Sequence, residues 1–96
     1  MLQGSERTEH GMIAEYINAA LARATYERIE DKDNPFYAEV PVLKGVWATG
    51  KTLEACRRHL AEVIEGWLIV RFRKGLAIPP IGKNRLQPAR ALRFGT

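Results

Sequence analysis

FYAEVPVLKGVWATGKTLEAC, residues 36–56, is the stretch from which the rest of the chain can be read outward. Phe36 to Val40 alternates in β-favouring residue types and stops at Pro41, which has no N–H to give to a sheet ladder. Lys44-Gly45 turns the chain, and Val46-Trp47-Ala48 supplies a further strand. Thr52 then offers a hydroxyl at a helix N-cap, and Glu54 falls in the first turn, where the macrodipole favours an acid.

Upstream, Thr25 to Glu30 alternates as Phe36 to Val40 does. The Asp31-Lys32-Asp33-Asn34-Pro35 run between them is dense in turn formers, so the pair predicts an antiparallel hairpin. Downstream, Leu53, Cys56, Leu60, Val63, Ile64 and Trp67 recur at i, i+3 and i+4, the stripe of a long amphipathic helix that Gly75 stops. A helix over Leu53–Lys74 is about 33 Å long at ~1.5 Å per residue, more than short strands cover, so another segment must cover its end. Before the hairpin, Met12, Ile13, Tyr16, Ile17, Ala20, Leu21 and Ala24 predict a shorter helix. These elements define an α+β class: a small antiparallel sheet of three or four strands packed against a long helix, with an extra N-terminal helix. Residues 12–82 form the single domain. Residues 1–11, polar and without an apolar period, are expected as a flexible tail. Residues 83–96 form a basic C-terminal segment, with Arg85 to Phe94 as a fourth, edge strand or loose chain.

The 96 residues are 46% hydrophobic and 27% charged, which excludes disordered and collagen-like classes for most of the chain and fits one core. No apolar run outlasts that of Trp67 to Val70, far short of the roughly 18 residues a membrane span needs. The polar start has no leader-like apolar region, so a cytoplasmic home is expected. All 11 acids lie at or before Glu65, whereas residues 66–96 carry Arg71, Arg73, Lys74, Lys83, Arg85, Arg90 and Arg93 and no acid. This asymmetry raises a nucleic acid or an acidic partner as candidates for the basic half.

Gly45-Val-Trp-Ala-Thr-Gly50-Lys51-Thr52 satisfies the phosphate-loop pattern G-x-x-x-x-G-K-[ST] letter for letter. That motif needs a glycine-rich cradle and a magnesium-holding acid. Here Val46-Trp47-Ala48 reads as strand, and the only aspartates, Asp31 and Asp33, lie in a polar turn. The only serine, Ser5, is in the polar N-terminal stretch. Cys56 and His59 stand three apart on the long helix, but Cys56 belongs to the apolar stripe and reads as a packed thiol. Glu30, Asp31 and Asp33 read as turn residues. No catalytic, metal or cofactor residue is therefore assigned, and no enzyme is expected. Direct DNA binding is disfavoured, because the basic segment lacks interleaved aromatics apart from Phe94 and leaves no room for a helix-turn-helix after Pro80.

Residues 36–56 resemble the HicB-like antitoxin family, in which an aromatic strand ending in proline leads through a glycine turn to a short strand and a Gly-x-Thr helix start followed by Leu-Glu-Ala. The matching residues are Tyr37, Glu39, Pro41, Leu43, Gly45, Gly50, Thr52, Leu53, Glu54 and Ala55. Gly75-Leu-Ala-Ile78-Pro79-Pro80 resembles the family's Gly-x-x-[IL]-Pro segment, so the resemblance spans about residues 24–80. It implies a fold likened to a truncated ribonuclease-H unit and a partner, a small HicA-type toxin that cleaves messenger RNA. The chain departs from the family at Val42, Lys44 and Lys51, where Asp, Pro and Asp are frequent. It resembles a short member without a C-terminal DNA-binding domain.

Taken together, the expected function is neutralisation of such a toxin by direct binding. The acidic half would face it through Glu27, Glu30, Asp31, Asp33 and Glu39. The alternative is a nucleic-acid-binding adaptor using the basic C-terminal half. Ile69 and Phe72 fall off the sheet-facing stripe, at opposite and about 120° positions on a helical wheel. With Leu68 they predict a contact for a homodimer or higher even-numbered assembly.

Overall fold

The computed structural model describes residues 3–86, with side chains from Met12 onward. Five elements follow in order: α1 (Gln3–Ala22), β1 (Thr25–Arg28), β2 (Phe36–Glu39), β3 (Trp47–Gly50) and α2 (Leu53–Lys74). The strands form one antiparallel sheet in the order β1-β2-β3. Helix α2 lies across β2 and β3 on one face, and α1 packs against α2. The α+β class is as the sequence predicts.

Helix α2 begins and ends at its expected residues because its caps are written locally. Thr52 is extended and its Oγ1 accepts from the Ala55 N–H at 3.0 Å. At the other end Gly75 sits in the left-handed region at φ 66°, and the Leu76 N–H reaches back to the Arg71 carbonyl at 2.9 Å. The buried stripe differs from the predicted one. Cys56, Leu60, Ile64 and Leu68, an unbroken i, i+4 row, are the buried positions, while Leu53 is 52% and Val63 36% exposed. Three short strands offer a narrow platform, and a single row of side chains fills it.

The strands are shorter or shifted by a residue or two. β1 ends at Arg28 rather than Glu30 because Asp31 Oδ1 accepts from the N–H groups of Asp33 and Asn34 at 2.9 and 3.0 Å and bends the chain. β3 runs over Trp47–Gly50 rather than Val46–Ala48, because the Val46 N–H donates to the Leu43 carbonyl at 3.1 Å and closes the turn before it.

The far end of α2 is covered by the segment that follows it. Tyr16 of α1 donates its phenol hydrogen to the Pro79 carbonyl, and Arg71 donates to the Ala77 carbonyl at 2.9 Å while lying 4.7 Å over the Trp67 ring. Burial pushes the Tyr16 phenol pKa up, against a smaller opposing effect of Arg71. Ile78, Ile81 and Leu86 complete the core. Ile81 and Asn84 pair across a tight turn that brings Leu86 back inward. Residues 87–96, and with them most of the expected fourth strand, lie outside the described residues.

Over the residues expected as a tail, 1–11, the backbone is helical from Gln3. Gln3, Glu6, Arg7 and Glu9 are good helix formers, and extending a helix whose later turns are docked costs far less than nucleating one.

Candidate functional site

Strand register divides the sheet into two chemically different faces. Tyr26, Ala38 and Ala48 are paired across the three strands, as are Arg28, Phe36 and Gly50, and these rows turn toward α2. The opposite face carries Thr25, Glu39 and Trp47 in one row and Glu27, Tyr37 and Thr49 in the next. Both helices lie away from it, so among the described elements none covers this outer face.

Its centre is an aromatic pair. Tyr37 and Trp47 stack with ring centroids 6.0 Å apart and planes 19° from parallel, and Trp47 is 53% exposed. Tyr37 donates its hydroxyl hydrogen to Glu39 Oε1 at 2.8 Å, fixing the carboxylate beside the rings. That hydrogen bond, helped by the negative charges of Glu39 and Glu27, holds the Tyr37 phenol pKa above its ordinary value. Flat rings with two carboxylates beside them suit a cationic side chain or a basic protein surface.

A family model matches residues 15–79 under the description UPF0150-like, which takes in most of α1's described side chains, the whole sheet and α2. The chain belongs to the UPF0150-like family. Within the UPF0150-like match lie all six outer-face residues. The crystal structure of TTHA0281 from Thermus thermophilus is similar to this chain at 42% sequence identity and a TM-score of 0.75, over 79% of this chain and 93% of that one. No curated protein matches the sequence.

Of the five acids singled out in the sequence, the UPF0150-like fold brings Glu27 and Glu39 together on the outer face. Glu30, Asp31 and Asp33 sit in the β1–β2 turn, where Asp31 is occupied with the chain's own N–H groups. Tyr37 and Trp47 are not among the five. Their alternation with Ala38 and Ala48 is the available signal, but it becomes a shared face only once the register is known. Of the expected oligomer contacts, Leu68 is 1% exposed and belongs to this chain's own core, and Phe72 packs partly against it. Ile69 remains at the surface, 47% exposed, beside Val70.

The phosphate-loop letters are distributed over a strand and a helix cap. Trp47–Gly50 is β3, paired to Phe36–Glu39, and the Thr52 hydroxyl holds the Ala55 N–H. Cys56 is buried with its Sγ 3.7 Å from the Ala48 carbonyl, and burial raises its thiol pKa, away from nucleophilic thiolate. His59 Nδ1 donates instead to the Thr49 carbonyl at 3.0 Å. Among the described residues no three His, Cys, Asp or Glu side chains gather as a metal site, and no helix is long and apolar enough to cross a membrane.

Thr52→Ala is expected to lower unfolding free energy by about 0.5–2 kcal/mol in denaturant titration, as loss of an N-cap does. Lys51→Ala, at an exposed position, should change it by less than about 0.5 kcal/mol. Tight magnesium-dependent ATP or GTP binding that Lys51→Ala abolishes would refute this reading of Gly45–Thr52.

Proposed function

We propose that this protein is a HicB-like antitoxin: a cytoplasmic, non-catalytic binder that neutralises a small HicA-type mRNA-cleaving toxin by covering its surface. The observation that carries the reading is the outer sheet face, which no described element covers and where the stacked Tyr37 and Trp47 lie beside Glu27 and Glu39. An aromatic anchor flanked by carboxylates is the type of surface that holds a basic protein, because rings bury area at little entropic cost and the acids pair with Lys or Arg. An RNA-cleaving enzyme must itself be basic where it meets phosphates, which makes the two surfaces complementary. The motif order in residues 36–56 and 75–80 supports the same reading.

The test is co-expression with the small reading frame beside this gene. The neighbour alone is expected to arrest growth and cleave messenger RNA, and the two chains together to restore growth and elute as a complex. A harmless neighbour, or toxicity that persists with this protein in excess and no complex, sinks the proposal.

A further inference from the structure

The two edges of the sheet are not alike. Val40 donates to the Val46 carbonyl at 3.1 Å and Ile29 to the Pro35 carbonyl at 2.8 Å, which sets the alternation of the antiparallel ladders. By that alternation Thr25 and Glu27 spend their N–H and C=O groups on β2, whereas those of Tyr26 and Arg28 point outward from β1. At the β3 edge, Trp47 and Thr49 are the outward pair, and α2 has closed part of it, since His59 takes the Thr49 carbonyl. The β1 edge has no such cover from any described element.

Beside that open edge, on the α2 side of the sheet, lies a groove of about 490 Å³ lined by Leu21, Tyr26, Leu53, Glu54 and Arg57. It exists because α2 spans β2 and β3 and leaves β1 uncovered. Tyr26 is 37% and Leu53 52% exposed there, large side chains next to backbone that no described strand pairs. The rim carries one acid and one base, Glu54 and Arg57, a turn of helix apart.

We propose that the occupant of this edge is a second copy of the chain, with β1 pairing antiparallel to β1 across a two-fold axis at Tyr26. A surface used by both partners of an isologous dimer must complement itself, and this one does. The axis at Tyr26 lets the two Tyr26 residues exchange backbone bonds and lets each Arg28 N–H meet the carbonyl of the other copy's Ala24. Thr25 then stands opposite Glu27, so no like charges face each other. An axis at Glu27 would set the two Glu27 carboxylates face to face, which is unfavourable. On the helix side the two grooves merge, each copy's Tyr26 packs toward the other's Leu53, and Glu54 and Arg57 can pair across the seam. The outer faces join into one continuous surface, which presents the aromatic pair twice.

The test is light scattering of the full-length protein from 1 to about 100 μM, with hydrogen exchange on the same samples. A dimer is expected, with Tyr26 and Arg28 amides protected more strongly as concentration rises. Thr25→Glu should raise the dimer dissociation constant roughly tenfold by placing a carboxylate opposite Glu27 at both symmetry-related pairs. Because Thr25 is also paired to Glu39 within the chain, the variant's unfolding curve is measured alongside, and adding Glu27→Lys should restore the dimer without restoring that intrachain loss. Leu53→Asp, at an exposed position, should give folded monomer by circular dichroism. A parent chain that stays monomeric at the highest concentration overturns the proposal. Protection of the Tyr26 and Arg28 amides that does not depend on concentration also overturns it, because the edge is then covered by this chain's own residues 87–96. So does a dimer that Ile69→Asp breaks while Thr25→Glu and Leu53→Asp leave it intact.

Discussion

Gly50→Ala is expected to destabilise the protein by about 3 kcal/mol, at the upper end of what overpacking costs, and to lower Tm by ten degrees or more on the ~4–8 °C per kcal/mol scale of a domain this size. A Cβ at Gly50 would lie 2.5 Å from the Cys56 nitrogen and 2.7 Å from its Cα, and 3.0 Å from the Ala55 carbonyl carbon. All three are backbone atoms of α2's first turn, so no rotamer change relieves the clash. Either β3 or the helix start must move, and both are fixed, β3 by its pairing to β2 and the helix by the Thr52 cap. Gly45 is the control. It needs φ +82°, but an added Cβ meets nothing within 4 Å, so Gly45→Ala should cost only the left-handed backbone penalty of about 1–2 kcal/mol. Thermal melts of the two variants decide the point: equal losses would mean that Gly50 serves only as a turn residue.

The same two glycines show what the sequence could and could not disclose. Both complete the phosphate-loop pattern, and reading them as a turn and a close approach requires the Val46-Trp47-Ala48 strand signal and the Thr52 cap signal, each of which is local. The ends of α2 are legible for that reason, since N-cap hydroxyl and C-terminal glycine act within one turn. Which stripe of α2 is buried is less legible. Leu53 and Val63 fit the helical period as well as Leu68 does, and only the width of the sheet beneath decides between them. Leu68 illustrates the consequence: periodicity alone places it beside an exposed patch, and the covering segment around Ile78 and Ile81 makes it core. The outer face is legible residue by residue and hidden as a site. Glu27, Tyr37, Glu39 and Trp47 belong to three strands, and the distance between them in sequence carries no information until register brings them together.

In the toxin complex we propose, Trp47→Ala is expected to weaken binding by about 2 kcal/mol or more, roughly 30-fold in Kd, while costing the free protein only about 1 kcal/mol. The two effects separate because Trp47 is more than half exposed and touches its own fold chiefly through the stack on Tyr37. Glu39→Gln should act differently. It keeps the side chain's shape and its acceptor oxygen for the Tyr37 hydroxyl but removes the charge, so it should slow association and reduce its salt dependence more than it speeds dissociation. The pH response follows from the direction of the Tyr37 shift. A phenol pKa raised above 10.0 in the folded state means that the protonated donor is the favoured form, fully present below pH 10 and lost only as pH rises through the folded value. Deprotonation of Tyr37 therefore should leave affinity unchanged between about pH 6 and 9 and reduce it only in strong alkali. Titration calorimetry of the purified pair, with each variant's unfolding curve measured alongside, reads all of these at once. If Trp47→Ala binds as tightly as the parent while remaining folded, the toxin docks elsewhere, and the outer sheet face is not the antitoxin surface.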